Sequence, residues 1–237
     1  SAARRARLVA NELRHRAPRA AGAELAVPEV EERPPLHPHA PPVDIVVCVH
    51  NALDDVRLCL DSVVRQTSEP HALIVVDDGS DEETAAFLAT FVRQWGARLI
   101  RNDAARGYTR AANQGLAAST GEYALLLNSD TIVAREWLDR LVACAESDPR
   151  IGLVGPLSNT ASWQSVPDVF EGGDWATNPL PDGVDVDAMA EQVARSSARL
   201  YPEMPFLNGF CLLVRRALVT AIGAFDEDAF GEGYGEE

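Results

Sequence analysis

Five short apolar runs with strand character begin at Ile45 (IVVCV), Ala72 (ALIVV), Arg98 (RLI), Ala124 (ALLL) and Ile151 (IGLV), and their starts lie 26 or 27 residues apart. That interval is the length of one strand-plus-helix unit. The segments between them carry apolar residues at helical spacing. Leu53, Val56, Leu60, Val63 and Val64 form one stripe, Leu88, Phe91, Val92 and Trp95 a second, and Leu138, Leu141, Val142 and Ala145 a third. Ser80 followed by Glu83 reads as a capping box that opens the second helix. Strands alternating with helices predict an α/β domain with a doubly wound, mainly parallel sheet. Ligands of such sheets bind beyond the carboxyl ends of the strands, so chemistry is expected just after each run.

The rhythm breaks over residues 156–205, which are rich in Gly, Pro, Asn and Asp and hold Trp163, Trp175 and one helical patch near 187–199. A strand-like run follows at Phe206–Val214, then Arg215, Arg216 and a short helix. The last 13 residues, FDEDAFGEGYGEE, include six acids. At the other end, residues 1–26 are rich in Ala and Arg and could form a helix. Pro28, Pro34, Pro35, Pro38, Pro41 and Pro42 make the next stretch an extended linker. The expected division is therefore 1–42 as helical segment and linker, and 43–237 as the α/β domain.

Composition narrows the chemistry. The chain has 237 residues, 46% of them apolar, and a formal net charge of −15, which argues against nucleic-acid binding. All 21 basic residues are arginine. Without lysine there is no Walker P-loop, Schiff-base lysine or receiver-domain lysine, and any anion must be held by arginine, backbone N–H groups or a metal. Cys48, Cys59, Cys144 and Cys211 are widely spaced, which reads as free thiols and a cytoplasmic setting, the inner face of a membrane included. No apolar run approaches the roughly 20 residues of a membrane span.

Polar residues stand at four consecutive strand ends. His50-Asn51 follows the first, Asp77-Asp78-Gly79-Ser80 the second, Asn102 and Arg106-Gly107-Tyr108 the third, and Asn128-Ser129-Asp130-Thr131 the fourth. Each alone could be a turn or a helix cap, and Asn113 and Gly115 in the helix between could serve packing. Their convergence on one sheet edge points to a ligand.

The order of these motifs resembles a known family. VDIVVCVHNALDDVRLCLDSVVRQT followed by LIVVDDGSDEET is similar to the opening of family 2 glycosyltransferases of the GT-A fold. IRNDAARGYTRAANQGLAASTGEYALLLNSDTIVAREWLDRL resembles their nucleotide-contacting helix and DxD region, and FLNGFCLLVRRALVTAIGAFDEDAFGEGYGEE their acceptor-side strand and catalytic acidic motif. The resemblance implies a nucleotide-sugar-binding half (43–155) and an incomplete acceptor-side half (156–237), with further domains beyond either end. It implies a UDP-, dTDP- or GDP-sugar donor and a carbohydrate or glycoconjugate acceptor, as in polysaccharide biosynthesis. Asp130 becomes the ligand of Mn²⁺ or Mg²⁺, as the last position of a DxD motif that here reads Asn128-Ser129-Asp130, a form similar to rhamnosyltransferase-like members. His50, Asn51, Asp77, Asp78, Arg106, Asn113, Asn128 and Ser129 become nucleotide-binding residues. Glu237, or else Glu236, becomes the general base of an inverting transfer. Trp163, Asn208 and Gly209 stand on the acceptor side. Because the family continues from its acidic doublet into a helix, the resemblance also implies a fold cut at its C-terminus.

Two other readings compete. A sugar nucleotidyltransferase shares the architecture but carries a glycine-rich, basic loop after its first strand, where this chain has His50-Asn51-Ala52-Leu53. A non-catalytic nucleotide-sugar-binding module of a larger assembly protein would tolerate the amide at Asn128.

Overall fold

A computed structural model describes residues 41–67 and 71–230, all within the unit that spans Pro34–Glu237. The expected N-terminal helix, most of the proline-rich linker, and Glu236 and Glu237 lie outside the described residues.

The described chain runs β1 (Val43–Val49), α1 (Leu53–Gln66), β2 (His71–Asp78), α2 (Glu82–Trp95), β3 (Arg98–Asn102), α3 (Tyr108–Ala118), β4 (Tyr123–Asn128) and α4 (Trp137–Ser147). It continues through β5 (Leu153–Val154), β6 (Phe170–Glu171), β7 (Asp174–Trp175), α5 (Val186–Ser196), β8 (Cys211–Arg215) and α6 (Arg216–Ile222). Six strands form one sheet in the order β3-β2-β1-β4-β8-β5. Strands β1 to β4 are mutually parallel, and β8 runs antiparallel to both β4 and β5. This is the mixed, mainly parallel α/β sheet that the periodicity predicts.

Both faces are covered, which explains why the strands read as continuous apolar runs. Ile45, Val47 and Val49 of β1 face a core built with Val56, Leu60 and Val63 of α1, Leu88 and Phe91 of α2, and Leu138, Leu141 and Val142 of α4. Val46, Ile74, Val76 and Leu126 face the opposite side, against Ala111, Ala112 and Leu116 of α3. Gly115 is what lets α3 lie so close, since a Cβ there would stand 2.1 Å from Val46 Cγ1.

Four expectations change. The capping box does not form: Asp81 caps α2, accepting from Thr84 N at 2.8 Å, because the Ser80 hydroxyl is taken by Asn51 N at 2.9 Å. Trp95, at the end of its stripe, is half exposed and leans on Phe91 with ring centroids 6.4 Å apart. The fifth run shrinks to two paired residues at the sheet edge, beyond β8. The run from Phe206 pairs only over Cys211–Arg215. Upstream of it, Asn208 N donates instead to the buried Gln164 side chain at 2.6 Å.

Candidate active site at the strand ends

The parallel register sets the site. Val49 lies opposite Asp77, Cys48 opposite Asn128, Asp77 opposite Arg101 and Asp78 opposite Asn102. The residues that follow β1, β2, β3 and β4 therefore leave the sheet along one edge.

Asp77 has no exposed surface. Its Oδ1 accepts from Ser80 N at 2.9 Å, its Oδ2 pairs with Arg101, and Arg101 also donates to Ser80 O at 3.0 Å. Asp78 is also buried. It accepts from Asn102 Nδ2 (2.7 Å), from Arg106 N at both oxygens (2.9 and 2.8 Å) and from Gly107 N (2.9 Å). Both carboxylates, expected at a nucleotide base, are thus engaged inside the fold. Asp78 anchors the β3–α3 loop, and the exposed Arg106 side chain rises from that anchored backbone.

The turns are interlocked. Asp78 O can only accept, so the His50 Nδ1 that lies 2.8 Å from it carries the proton. Nε2 is then free to accept from Asn51 Nδ2 at 3.2 Å. Asn51 Oδ1 accepts from Asp81 N at 2.8 Å, which binds the β1–α1 turn to the β2–α2 turn. Holding this turn costs strain, because Asn51 (φ 58°) and Ala52 (φ 54°) are both left-handed. Gly79 (φ +69°) completes the packing, since a Cβ there would come 2.4 Å from the Ala104 carbonyl carbon and the Ala105 nitrogen.

Asn128 closes β4 with its N–H on Phe210 O (2.8 Å), while Ser129 and Asp130 form the turn beyond it, with Asp130 exposed. Beneath them the Cys59 thiol is pushed up to about 12, mainly by burial and further by the Asp130 charge. No group of three or more His, Cys, Asp or Glu side chains among the described residues could by itself hold a metal. The donor set fits another arrangement, an Mg²⁺- or Mn²⁺-type ion on one carboxylate with phosphate oxygens and water completing its shell.

Asn128 and Asp130 also border an open groove of about 2110 Å³ that runs over residues 131–212, past Trp163 and Asn208. Trp163 is packed edge-on against Phe170 and Trp175 (centroids 5.5 and 5.1 Å), so it belongs to an aromatic cluster in the groove wall. Gln164 braces the same wall, bridging Pro156 O (2.7 Å) and Asn208 N, and Gly209 follows just before β8. Asn113 takes no place at the edge: its amide bonds the backbone of Phe225 and the Glu227 carboxylate. Sequence reasoning missed Arg101 and Gln164. Arg101 was signalled by register, since RLIRN laid beside ALIVVDD puts an arginine against the first aspartate. Gln164 carried no local signal.

The family model for glycosyl transferase family 2 matches residues 44–222. This chain belongs to glycosyl transferase family 2. An uncharacterized glycosyltransferase of Haemophilus influenzae is 27% identical over 118 residues, 49% of this chain and 36% of that protein. A PGL/p-HBAD biosynthesis glycosyltransferase of Mycobacterium bovis is 36% identical over 92 residues, 38% of this chain and 36% of that protein. The chain thus spans little more than a third of each of these relatives. Among solved structures, the mannosyltransferase PcManGT from Pyrobaculum calidifontis, in complex with GDP-Man and Mn²⁺, matches with a TM-score of 0.58 at 18% identity, over 82% of this chain and 50% of that one. Staphylococcus aureus TarS 1-349 in complex with UDP-GlcNAc matches with a TM-score of 0.52 at 16% identity, over 78% of this chain and 48% of that one. At these identities the two structures establish the shared GT-A fold. No helix among the described residues is long and apolar enough to cross a membrane.

Proposed function

We propose that this chain is the donor-binding part of an inverting glycosyltransferase that moves a sugar from a nucleoside diphosphate to an acceptor hydroxyl. One observation carries the reading. The ends of β1, β2 and β3 are bonded into a single rim around Asp78, and the exposed Asp130 at the end of β4 stands beside that rim at the mouth of the groove.

On this reading His50, Asn51, Asn128 and Ser129 line the nucleotide pocket. Asp77 and Asp78 act from behind, fixing the turn and the loop that present Arg106 to the diphosphate. Asp130 would hold Mn²⁺ or Mg²⁺, an ion that neutralises charge on the departing diphosphate. The acceptor would lie in the groove near Trp163, Asn208 and Gly209. Glu237, or Glu236, would take the acceptor proton as the anomeric carbon develops positive charge. The GDP-Man and UDP-GlcNAc of the two solved structures support a nucleotide-sugar donor and leave the base open among uracil, thymine and guanine.

The test is binding of UDP, dTDP and GDP by titration calorimetry, with and without Mn²⁺. One of them is expected to bind in a metal-dependent way, and Asp130→Ala is expected to weaken it by about tenfold or more. Metal-independent binding that Asp130→Ala leaves untouched would overturn the assignment. In the full-length enzyme, Glu237→Gln should abolish transfer and leave nucleotide affinity intact.

A further inference from the structure

Beyond α6 the chain passes along α3, on the stripe that carries Thr109, Arg110 and Asn113. Phe225, Glu227 and Phe230 are half-buried there, while Ala224, Asp226, Asp228 and Ala229 point to solvent. Each inward residue has a partner on one stripe of α3. Asn113 Nδ2 donates to Phe225 O at 2.9 Å and Asn113 Oδ1 accepts from Phe225 N at 3.0 Å, so one side chain mimics the two-point pairing of a neighbouring strand. Asn113 Nδ2 also reaches Glu227 Oε1 at 3.0 Å, and Arg110 Nε lies 3.5 Å from the other Glu227 oxygen. Thr109, fully buried, donates its hydroxyl proton to Phe230 O. Positions 109, 110 and 113 are related by i, i+4 and i, i+3 spacing and so share one helix face. Asp226 stiffens the segment itself, accepting at Oδ1 from Asp228 N and Ala229 N at 3.1 and 3.0 Å.

The same helix begins at the donor rim. Gly107, its N-cap, and Arg106 are held through their N–H groups by Asp78. Phe230 is therefore delivered to the first turn of α3, two residues past the loop that Asp78 anchors. The acidic doublet Glu236-Glu237 follows six and seven residues later in the sequence.

We propose that Asn113 is a positioning residue for the acceptor side of the reaction: it clamps the segment Phe225–Phe230 onto α3, and so ties the approach to the catalytic carboxylate to the helix that starts at the donor rim. This rests on the glycosyl-transfer reading above. It moves Asn113 from the nucleotide to the opposite partner of the reaction, because both ends of its amide are used within the fold.

Asn113→Asp tests it. The aspartate keeps the acceptor for Phe225 N, loses both donated bonds and sets a carboxylate against that of Glu227. Hydrogen exchange over residues 224–230 of the full chain is expected to rise about tenfold or more. Affinity for UDP, dTDP and GDP with Mn²⁺ should stay within about twofold, and nucleotide release from UDP-GlcNAc or GDP-mannose should fall in kcat with little change in donor KM. Adding Glu227→Gln to Asn113→Asp restores a donor facing the new carboxylate and should recover part of both losses. Glu227→Ala, at a half-exposed position, should loosen the same segment to a smaller extent. Exchange over 224–230 that stays unchanged in Asn113→Asp and Glu227→Ala overturns the clamp, and so does a nucleotide affinity that drops about tenfold with that exchange intact. If the wild-type chain bound none of the three nucleotides, the glycosyltransferase reading would fall, while exchange over 224–230 would still decide the clamp.

Discussion

Replacing Asp78 by asparagine separates the internal role of this carboxylate from direct contact with a ligand. The substitution keeps shape and removes one acceptor oxygen along with the charge. In the native protein three donors converge on Asp78: Asn102 Nδ2, Arg106 N and Gly107 N. An asparagine that turns its oxygen to the two backbone N–H groups points its own NH₂ at Asn102, and the reverse rotamer points it at Arg106 and Gly107. Either way at least one buried donor pair is opposed. Hydrogen bonds to a charged group contribute about 1.5–3 kcal/mol each, so losing one or two costs roughly 2–5 kcal/mol. Relaxation of the exposed β3–α3 loop should keep the result in the lower half of that range. Against a domain stability of about 5–15 kcal/mol, that is a large shift. Urea denaturation should show a lower midpoint at unchanged slope, amide exchange should rise at Arg106 and Gly107, and nucleotide affinity should fall because Arg106 is no longer held at the rim. Asp130→Asn is the control. It is exposed and should change stability by no more than about 0.5 kcal/mol while losing Mn²⁺-dependent binding. A variant at Asp78 with native midpoint and native protection at 106 and 107, yet no nucleotide binding, would refute the anchoring role and return Asp78 to the base.

Gly79→Ala should destabilise by about 2–4 kcal/mol, from a left-handed backbone and a Cβ driven into Ala104 and Ala105, and a melting temperature equal to wild type would contradict the packing of the two loops. Gln164→Ala should leave Asn208 N and Pro156 O without partners and cost roughly 2–4 kcal/mol, read as a lower urea midpoint with nucleotide affinity preserved. The buried Cys59 is raised by burial from 9.0 to about 12 and Cys211 is raised likewise, so both resist thiolate formation in the folded state. The stability this gives is complete below about pH 9 and is lost as pH rises towards about 12. Cys59→Ala together with Cys211→Ala should therefore flatten the decline of the urea midpoint across that window, and neither native thiol should react with a thiol reagent near pH 8 before unfolding.

The parts of the fold that were legible in the sequence are those whose signals are local. β1, β2 and β4 are buried on both faces and read as apolar runs, while the edge strand β3 shows only the short pair Leu99-Ile100, and α1 and α4 show their core stripes at helical spacing. β8 was harder, because its place depends on antiparallel pairing with β4 across more than eighty residues and with β5 across about sixty. β5 has only two paired residues and no period to read. At the site, the sequence places His50, Asp77, Asp78 and Asn128 on one edge, and the register does put them there. What it could not tell was the direction in which each polar group turns. Asp77 turns inward because β3 brings Arg101 opposite it, and Ser80 gives up the cap because Asn51 reaches across from another turn. Asn113 looked like a pocket residue because its partner, Phe225, is 112 positions away.

The crowding of hydrogen bonds around Asp77 and Asp78 has an electrostatic consequence. The chain as a whole carries −15, yet an anion arriving at this edge does not meet two bare carboxylates. Arg101 balances the first, and N–H dipoles of Asn102, Arg106 and Gly107 surround the second. Helices α1, α2 and α3 all start just beyond the strand ends, so the positive ends of three peptide macrodipoles face the same rim. The charge that a diphosphate does meet there is the exposed set in the turns and first helical turns, Asp54, Asp55, Asp81, Glu82, Glu83, Asp103 and Asp130. The distinction is measurable, because salt, with a screening length of about 10 Å, should weaken repulsion from these solvent-exposed carboxylates and leave the buried contacts of Asp77 and Asp78 nearly untouched. Nucleotide association should then quicken modestly as ionic strength rises.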